Sequence, residues 1–165
     1  MGVSGCGKST LGHALARALD WQFVEGDTLH PPANIERMAA GVALDDDARR
    51  PFLERVASTL AEARDRGVVV SCSALKRSYR DLLRARAGAI RFVLPVLSHD
   101  ALAARLAERR DHFMPAALLD SQLATLEQPD ADEDAIIVDG TASTDTQVAA
   151  VLAALHAEPG ANARH

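Results

Sequence analysis

Residues Gly2 to Ser9 read GVSGCGKS, with glycine at the first and sixth places and Lys8 and Ser9 closing the run, the spacing G-x-x-x-x-G-K-[ST]. No other stretch restricts the fold so tightly. Glycines at these places let successive backbone N–H groups turn inward around phosphate oxygens, and such a loop belongs where a buried strand gives way to a helix. Gly2, Val3, Ser4, Gly5, Cys6, Gly7 and Thr10 form or flank the cradle. Lys8 is placed to reach the terminal phosphates of a nucleotide, and the Ser9 hydroxyl to ligate Mg²⁺. Cys6 is read as a small side chain that fits the loop rather than as a reactive thiol. Only Met1 precedes Gly2, so the strand that should enter the loop is missing at the N-terminus. The expectation is an apolar strand upstream, with Met1 an internal methionine.

After the loop, strand and helix signals alternate. Leu11, Ala14, Leu15, Ala18 and Leu19 fall at helical spacing behind Lys8, and WQFVEGD then reads as a short strand ending at Gly26-Asp27. HPPANIERMAAG predicts a loop and a short helix stopped at Gly41. LDDDARRPFLERVASTLAEARDRG predicts a longer helix from its acidic start to Gly67, with Pro51 near the first turn. The β-branched run at 68–73 has the signature of a buried parallel strand. KRSYRDLLRARAG, SHDALAARLAERRDHF, PAALLDSQLATLE and TDTQVAAVLAALHA are helical, and IRFVLPV and DAIIVDG supply two more strands. Such alternation implies an α/β fold: a mostly parallel sheet with helices on both faces, binding its ligands at the carboxyl ends of the strands. That rule collects Asp27, Ser71 to Lys76 and Asp139 at the edge that carries the glycine loop. One domain over 1–157 is expected, with the non-periodic tail 158–165 frayed.

Composition narrows the function. Apolar residues are 48% of the 165 but aromatics only 4%, so the core must be aliphatic. A net charge of −5 without a basic block speaks against a nucleic-acid surface. Two cysteines far apart, Cys6 and Cys72, suit a reduced compartment, and no apolar run reaches membrane-spanning length; the expectation is a cytoplasmic protein.

Phosphoryl transfer to an alcohol needs a carboxylate to orient the hydroxyl and take its proton, and Asp27 is the best-placed candidate. His30, in GDTLHPPAN, is a candidate hydrogen-bond donor to a sugar-like substrate. Asp45, Asp46 and Asp47 are read as a solvated helix start rather than a metal cluster. Arg49, Lys76, Arg105 and Arg109 are the cations suited to an anionic substrate and a migrating phosphate. Arg105 and Arg109 lie one helical turn apart, and the RDHFMP that follows reads as part of a small lid, about residues 105–118.

GVSGCGKS, EGDTLHPPANIERMAAG, LDDDARRPFL, CSALKRSYRDLLR and HFMPAALLDSQLATLEQP together resemble, in order and spacing, the motifs of the gluconokinases, small kinases related in fold to shikimate and adenylate kinases. The resemblance runs from Gly2 to about Gly140. It implies a P-loop kinase fold with the missing strand in the middle of the sheet, between the strands at 68–72 and 90–96. It also implies ATP-dependent phosphorylation of D-gluconate at its 6-hydroxyl, and a homodimer. By position, Gly2 to Ser9 would hold the ATP phosphates and Asp27 would be the base. Arg49, Lys76, Arg105 and Arg109 would meet the gluconate carboxylate and the transferred phosphate. Ala43, Ala48, Phe52 and Asp111 depart from the family pattern; Ala43 and Phe52 read as packing changes, and Asp47 stands beside Ala48 to compensate for the acid usual there. A kinase for shikimate or another small acid, and a catalytically impaired nucleotide-binding module, are the alternatives. A switch GTPase is disfavoured because the chain has no N-K-x-D motif.

Overall fold

A computed structural model describes residues 1–108 and 116–157. The chain runs α1 (Lys8–Leu19), β1 (Gln22–Val24), a 3₁₀ turn (Gly26–Leu29), α2 (Pro32–Ala39), α3 (Asp46–Glu62), β2 (Val68–Val70) and α4 (Arg77–Ala87). It continues through β3 (Val93–Val96), α5 (His99–Ala107), α6 (Ala116–Thr125), a second 3₁₀ turn (Ala131–Glu133), β4 (Ile136–Asp139) and α7 (Thr144–His156).

Local chemistry accounts for the boundaries. Gly7, at φ 97°, is the N-cap of α1 in a left-handed conformation that a β-carbon would disfavour. The first-turn N–H groups of α1 have no side-chain cap and point into the glycine loop. Leu11, Leu15 and Ala16 bury one face of α1, and Asp20 ends it in the left-handed region. Ser98 and Ser143 cap α5 and α7 through their hydroxyls, and Asp45 caps α3 by accepting from the Ala48 N–H at 2.8 Å. Regular helix in α3 stops at Glu62, short of the predicted Gly67, and Pro51 lies inside the helix rather than at its first turn. A proline there removes the hydrogen bond that Asp47 C=O would accept, within the first two turns of the helix.

The strands sit where the sequence places them but do not join into one sheet. β1 and β2 pair in parallel, Val24 opposite Val70, and β3 and β4 pair in parallel, Val96 opposite Asp139. Each pair is a separate two-stranded sheet, and the break falls between β2 and β3, the neighbours between which the missing strand was expected. Three apolar clusters surround the break. Phe52, Val56, Tyr79, Leu83 and Phe92 join α3 to α4; Leu11, Leu15, Ile136, Val138 and Val151 join α1 and α7 to β4. Val3, Cys6, Leu75, Leu102 and Leu119 pack beneath the glycine loop.

Candidate active site

The glycine loop is held from several sides. The Gly2 N–H donates to Ser73 C=O at 2.9 Å, which ties the loop's first residue to the segment after β2. Gln122 Oε1, on α6, accepts from the Ser4 N–H at 2.7 Å. Lys8 Nζ donates to Val3 C=O at 2.9 Å, so its ammonium folds over the loop that it would leave to meet a phosphate. Arg105 approaches from α5: its Nη2 donates to Gly140 C=O at 2.8 Å, and its Nη1 lies 3.8 Å from the point where a β-carbon on Gly7 would sit. Arg105 thus lies beside Gly7 of the glycine loop. Arg109 and Asp111, with the middle of the expected lid, and the tail 158–165 lie outside the described residues.

Asp27 is in the 3₁₀ turn directly after β1, presented there by close packing at Gly26. A β-carbon on Gly26 would lie 1.7 Å from Ser71 C=O, so only glycine lets β1 and β2 meet here. Ser71 Oγ accepts from the Gly26 N–H at 2.9 Å and donates to the Glu25 carboxylate. This cross-strand clamp fixes the entry to Asp27. The charges of Asp27 and Arg49 both reach His30, Asp27 favouring its protonation and Arg49 opposing it. Burial, the largest influence, lowers the His30 pKa and keeps the imidazole neutral.

His30 is 6% exposed and stacks on Phe52, ring centroids 3.7 Å apart and planes 5° from parallel. This loop histidine lies inside the fold rather than on its surface. Its Nδ1 is a buried polar atom without a protein partner, a group that a polyhydroxy ligand would satisfy. Phe52, one of the departures from the family pattern, is therefore the plate against which His30 is set.

Lys76, the N-cap of α4, extends to Asp46 at the start of α3, with Nζ 2.7 and 2.9 Å from the two carboxylate oxygens. Tyr79 donates its hydroxyl to the same Asp46. Arg49 packs its guanidinium 5.9 Å from the Tyr79 ring centroid, with Lys76 Nζ 5.5 Å from it. The hydrogen bonds from Lys76 and Tyr79 depress the Asp46 pKa, and that same carboxylate raises the Lys76 pKa. Reading the three aspartates as a solvated helix start is right for Asp45, which caps α3, and incomplete for Asp46, which pairs with an amine from another helix. Two cations around one tyrosine, near His30, form a positively charged corner suited to a small carboxylate.

A buried ion pair anchors the segment that carries Ser73 and Lys76. Arg80 and Glu133 are 0% and 1% exposed in their side chains, with Nε–Oε2 at 2.6 Å and Nη2–Oε1 at 2.7 Å. Arg80 Nη1 also donates to the carbonyls of Ala74, Leu75 and Glu127 at 3.2, 3.2 and 3.0 Å. It so spans from the loop after β2 to the segment after α6. Ala74 takes a φ of 40°, unusual for a residue with a β-carbon, inside this clamp. Arg84 adds a bond to Glu133 at 3.1 Å, and the Glu133 carboxyl is held down to about 2, chiefly by Arg80. Gln122, Tyr79, Arg80 and Glu133 were not picked out from sequence. Arg80 and Glu133 stand 53 residues apart, and no local pattern announces the pairing.

A nucleotide cradle, a carboxylate at a strand end and a cationic corner thus share one edge of the fold. Residues 1–129 match the family model described as AAA domain. The sequence is 48% identical over 160 residues to a gluconokinase of Gluconobacter oxydans, covering 96% of this chain and 90% of that protein. The chain belongs to the gluconokinase family. Among solved structures, a gluconokinase from Sinorhizobium meliloti superposes with a TM-score of 0.85 at 48% identity, covering 94% of this chain and 88% of that one. Shikimate kinase from Aquifex aeolicus shares the fold alone, with a TM-score of 0.59 at 18% identity. The gluconokinase relationship therefore spans the loop, the Asp27 turn and the Lys76 corner together.

Proposed function

We propose that this chain phosphorylates D-gluconate at its 6-hydroxyl, using ATP, to give 6-phospho-D-gluconate. The observation that carries the reading is the hydrogen bond from Gly2 N–H to Ser73 C=O, because it locks the phosphate loop to the segment that delivers Lys76. Gluconate has what this edge can recognise: a carboxylate for Lys76 and Arg49, hydroxyls for the neutral His30, and a terminal alcohol for Asp27.

The residues fit ATP and Mg²⁺. The N–H groups at the start of α1 have no side-chain cap, and Lys8 and Arg105 are the cations at the loop. No cluster of three or more His, Cys, Asp or Glu side chains able to hold a metal exists among the described residues, so the Ser9 hydroxyl and the nucleotide's own oxygens would hold the ion. Bound there, Mg²⁺ supplies neutralisation of phosphate charge. Lys8 leaves Val3 C=O for the terminal phosphates, and Arg105 offers its guanidinium to the migrating group. Asp27 orients the 6-hydroxyl in line with the phosphorus and receives its proton as the new O–P bond forms and the bridging O–P bond to ADP breaks. Lys76 and Arg49 fix the other end of gluconate, which requires its carboxylate to take the place of Asp46 on Lys76.

A homodimer in the cytoplasm belongs to the same proposal. The exposed Ile35 and Val42, one on α2 and one just beyond it, offer apolar surface for association, and no described helix is long and apolar enough to cross a membrane. Steady-state ADP release measured over gluconate, shikimate, AMP and simple sugars tests the reading. Gluconate-specific turnover is expected; turnover with shikimate alone, or with none of them, would overturn it.

A further inference from the structure

Two segments that phosphoryl transfer must keep in fixed relation, the glycine loop and the stretch around Lys76, are gripped by one short element. On α6, Gln122 Oε1 accepts from the Ser4 N–H at 2.7 Å. A backbone N–H can only donate, so the carboxamide atom that meets it is the oxygen. Just past the helix, Glu127 holds the second segment at three points. Its N–H donates to Leu75 C=O at 2.9 Å, its carboxylate accepts from the Arg77 N–H at 2.6 Å, and its C=O accepts from Arg80 Nη1 at 3.0 Å. Lys76, the N-cap of α4, makes no side-chain cap bond, so the Glu127 carboxylate satisfies a first-turn donor of that helix from outside it. Helical bonding continues between the two grips, with the Leu126 N–H donating to Gln122 C=O at 2.9 Å. A rise of about 1.5 Å per residue separates them by roughly 7 Å. Apolar packing joins the same pieces, because Leu119 shares a buried cluster with Val3, Cys6 and Leu75. Such packing is non-directional and would let the helix slide, whereas polar bonds at both ends fix its register. The bond from Gly2 N–H to Ser73 C=O holds the base of the loop, and the bond at Ser4 stops the loop from tilting about that base.

We propose that the C-terminal half of α6 is a spacer that sets the distance from the phosphate loop to Lys76, and that Gln122 and Glu127 are positioning residues of the transfer reaction. The inference rests on the reading that Lys76 holds the gluconate carboxylate. In this role neither side chain binds ATP or the acceptor. Each decides whether the terminal phosphorus and the acceptor hydroxyl stand in line. Reacting atoms must come within about 3–3.5 Å of each other, and a misplacement of about 1 Å costs on the order of 10²-fold in rate. Loss of either grip therefore lowers kcat and leaves both KM values near those of the parent.

Initial rates over ATP and gluconate test this in the parent chain, Gln122→Met, Glu127→Ala and the double variant, with Glu127→Gln as the conservative replacement that still accepts from Arg77. Gln122→Met and Glu127→Ala should each lose at least about tenfold in kcat, with both KM values within about threefold of the parent. The double variant should fall little further than the worse single one, since cutting either end releases the same spacer. Glu127→Gln should keep most of the parental kcat. Amide exchange of the unliganded proteins needs no substrate: Gln122→Met should speed exchange at Arg77 as well as at Ser4 by at least about threefold. Parental kcat in Gln122→Met, multiplicative losses in the double variant, a rise in KM in place of the fall in kcat, or faster exchange confined to Ser4 would overturn it. A parent chain that turns over no gluconate, with exchange at Arg77 still linked to Gln122, would overturn the substrate reading alone.

Discussion

Replacing Arg80 with Met should be the most damaging single change outside the phosphate loop. The guanidinium has 0% exposure and makes two bonds to Glu133 and three to carbonyls. Removing one partner of a buried pair costs about 3–5 kcal/mol, and the low end applies because Arg84 still reaches Glu133 at 3.1 Å. Of the three carbonyls, Leu75 C=O keeps the Glu127 N–H at 2.9 Å, which leaves those of Ala74 and Glu127 at about 1 kcal/mol or more each. The sum, about 5 kcal/mol, is comparable to the whole stability of a marginal domain. Urea unfolding followed by far-UV circular dichroism reads it: with a slope near 2 kcal/mol per molar, the midpoint falls by roughly 2.5 M. Should the Met variant not fold, Arg80→Lys keeps the charge without the fork and should cost about half as much. Adding Glu133→Leu to Arg80→Met should recover at least about 2 kcal/mol of the loss, because the stranded carboxylate is gone. A loss below about 1 kcal/mol for Arg80→Met, or purely additive behaviour in the double variant, would show that the buried pair does not anchor this segment.

Gly26→Ala would place a β-carbon 1.7 Å from Ser71 C=O; at least a tenfold fall in kcat/KM is expected, with Asp27 carried out of line, and wild-type kinetics would contradict it. Lys76→Met should raise the KM for gluconate at least tenfold while leaving that for ATP unchanged, whereas Asp46→Asn, which removes the competitor for the Lys76 amine, should lower it; both follow from initial-rate measurements. Glu133 titrates near 4.5 when unfolded and about 2 when folded, so its contribution is complete above pH 4.5 and is lost as pH falls toward 2. Stability measured across that window should therefore decline less steeply in Glu133→Gln than in the parent chain.

The elements that could be read from the residues are those with local signatures. The glycine loop, the capped helices and the runs VVV and IIVD state their conformation within a few residues, and the strand-end rule brought Asp27, Lys76 and the loop to one edge. What stayed hidden depends on pairing across the fold. Asp46 looked like one of three equivalent helix-start acids, and only the packing of α3 against α4 sets it on Lys76 and Tyr79. Gln122 reaches the Ser4 N–H from 118 residues away, and the stacking of His30 on Phe52 joins a loop to a helix interior. Periodicity reports which face of an element is buried, not which side chain on another element it meets.

The role proposed for Asp27 is to take the proton of a gluconate hydroxyl beside the Lys8 loop. Single-turnover transfer from ATP to gluconate, compared between the parent chain and Asp27→Asn, tests it most directly. Gluconate-dependent 6-phosphogluconate formation is expected in the parent and a loss of roughly 10²–10⁴-fold in the variant, with ATP binding retained. A variant that transfers phosphate at the parental rate, or a parent that forms no 6-phosphogluconate while binding ATP, would contradict it.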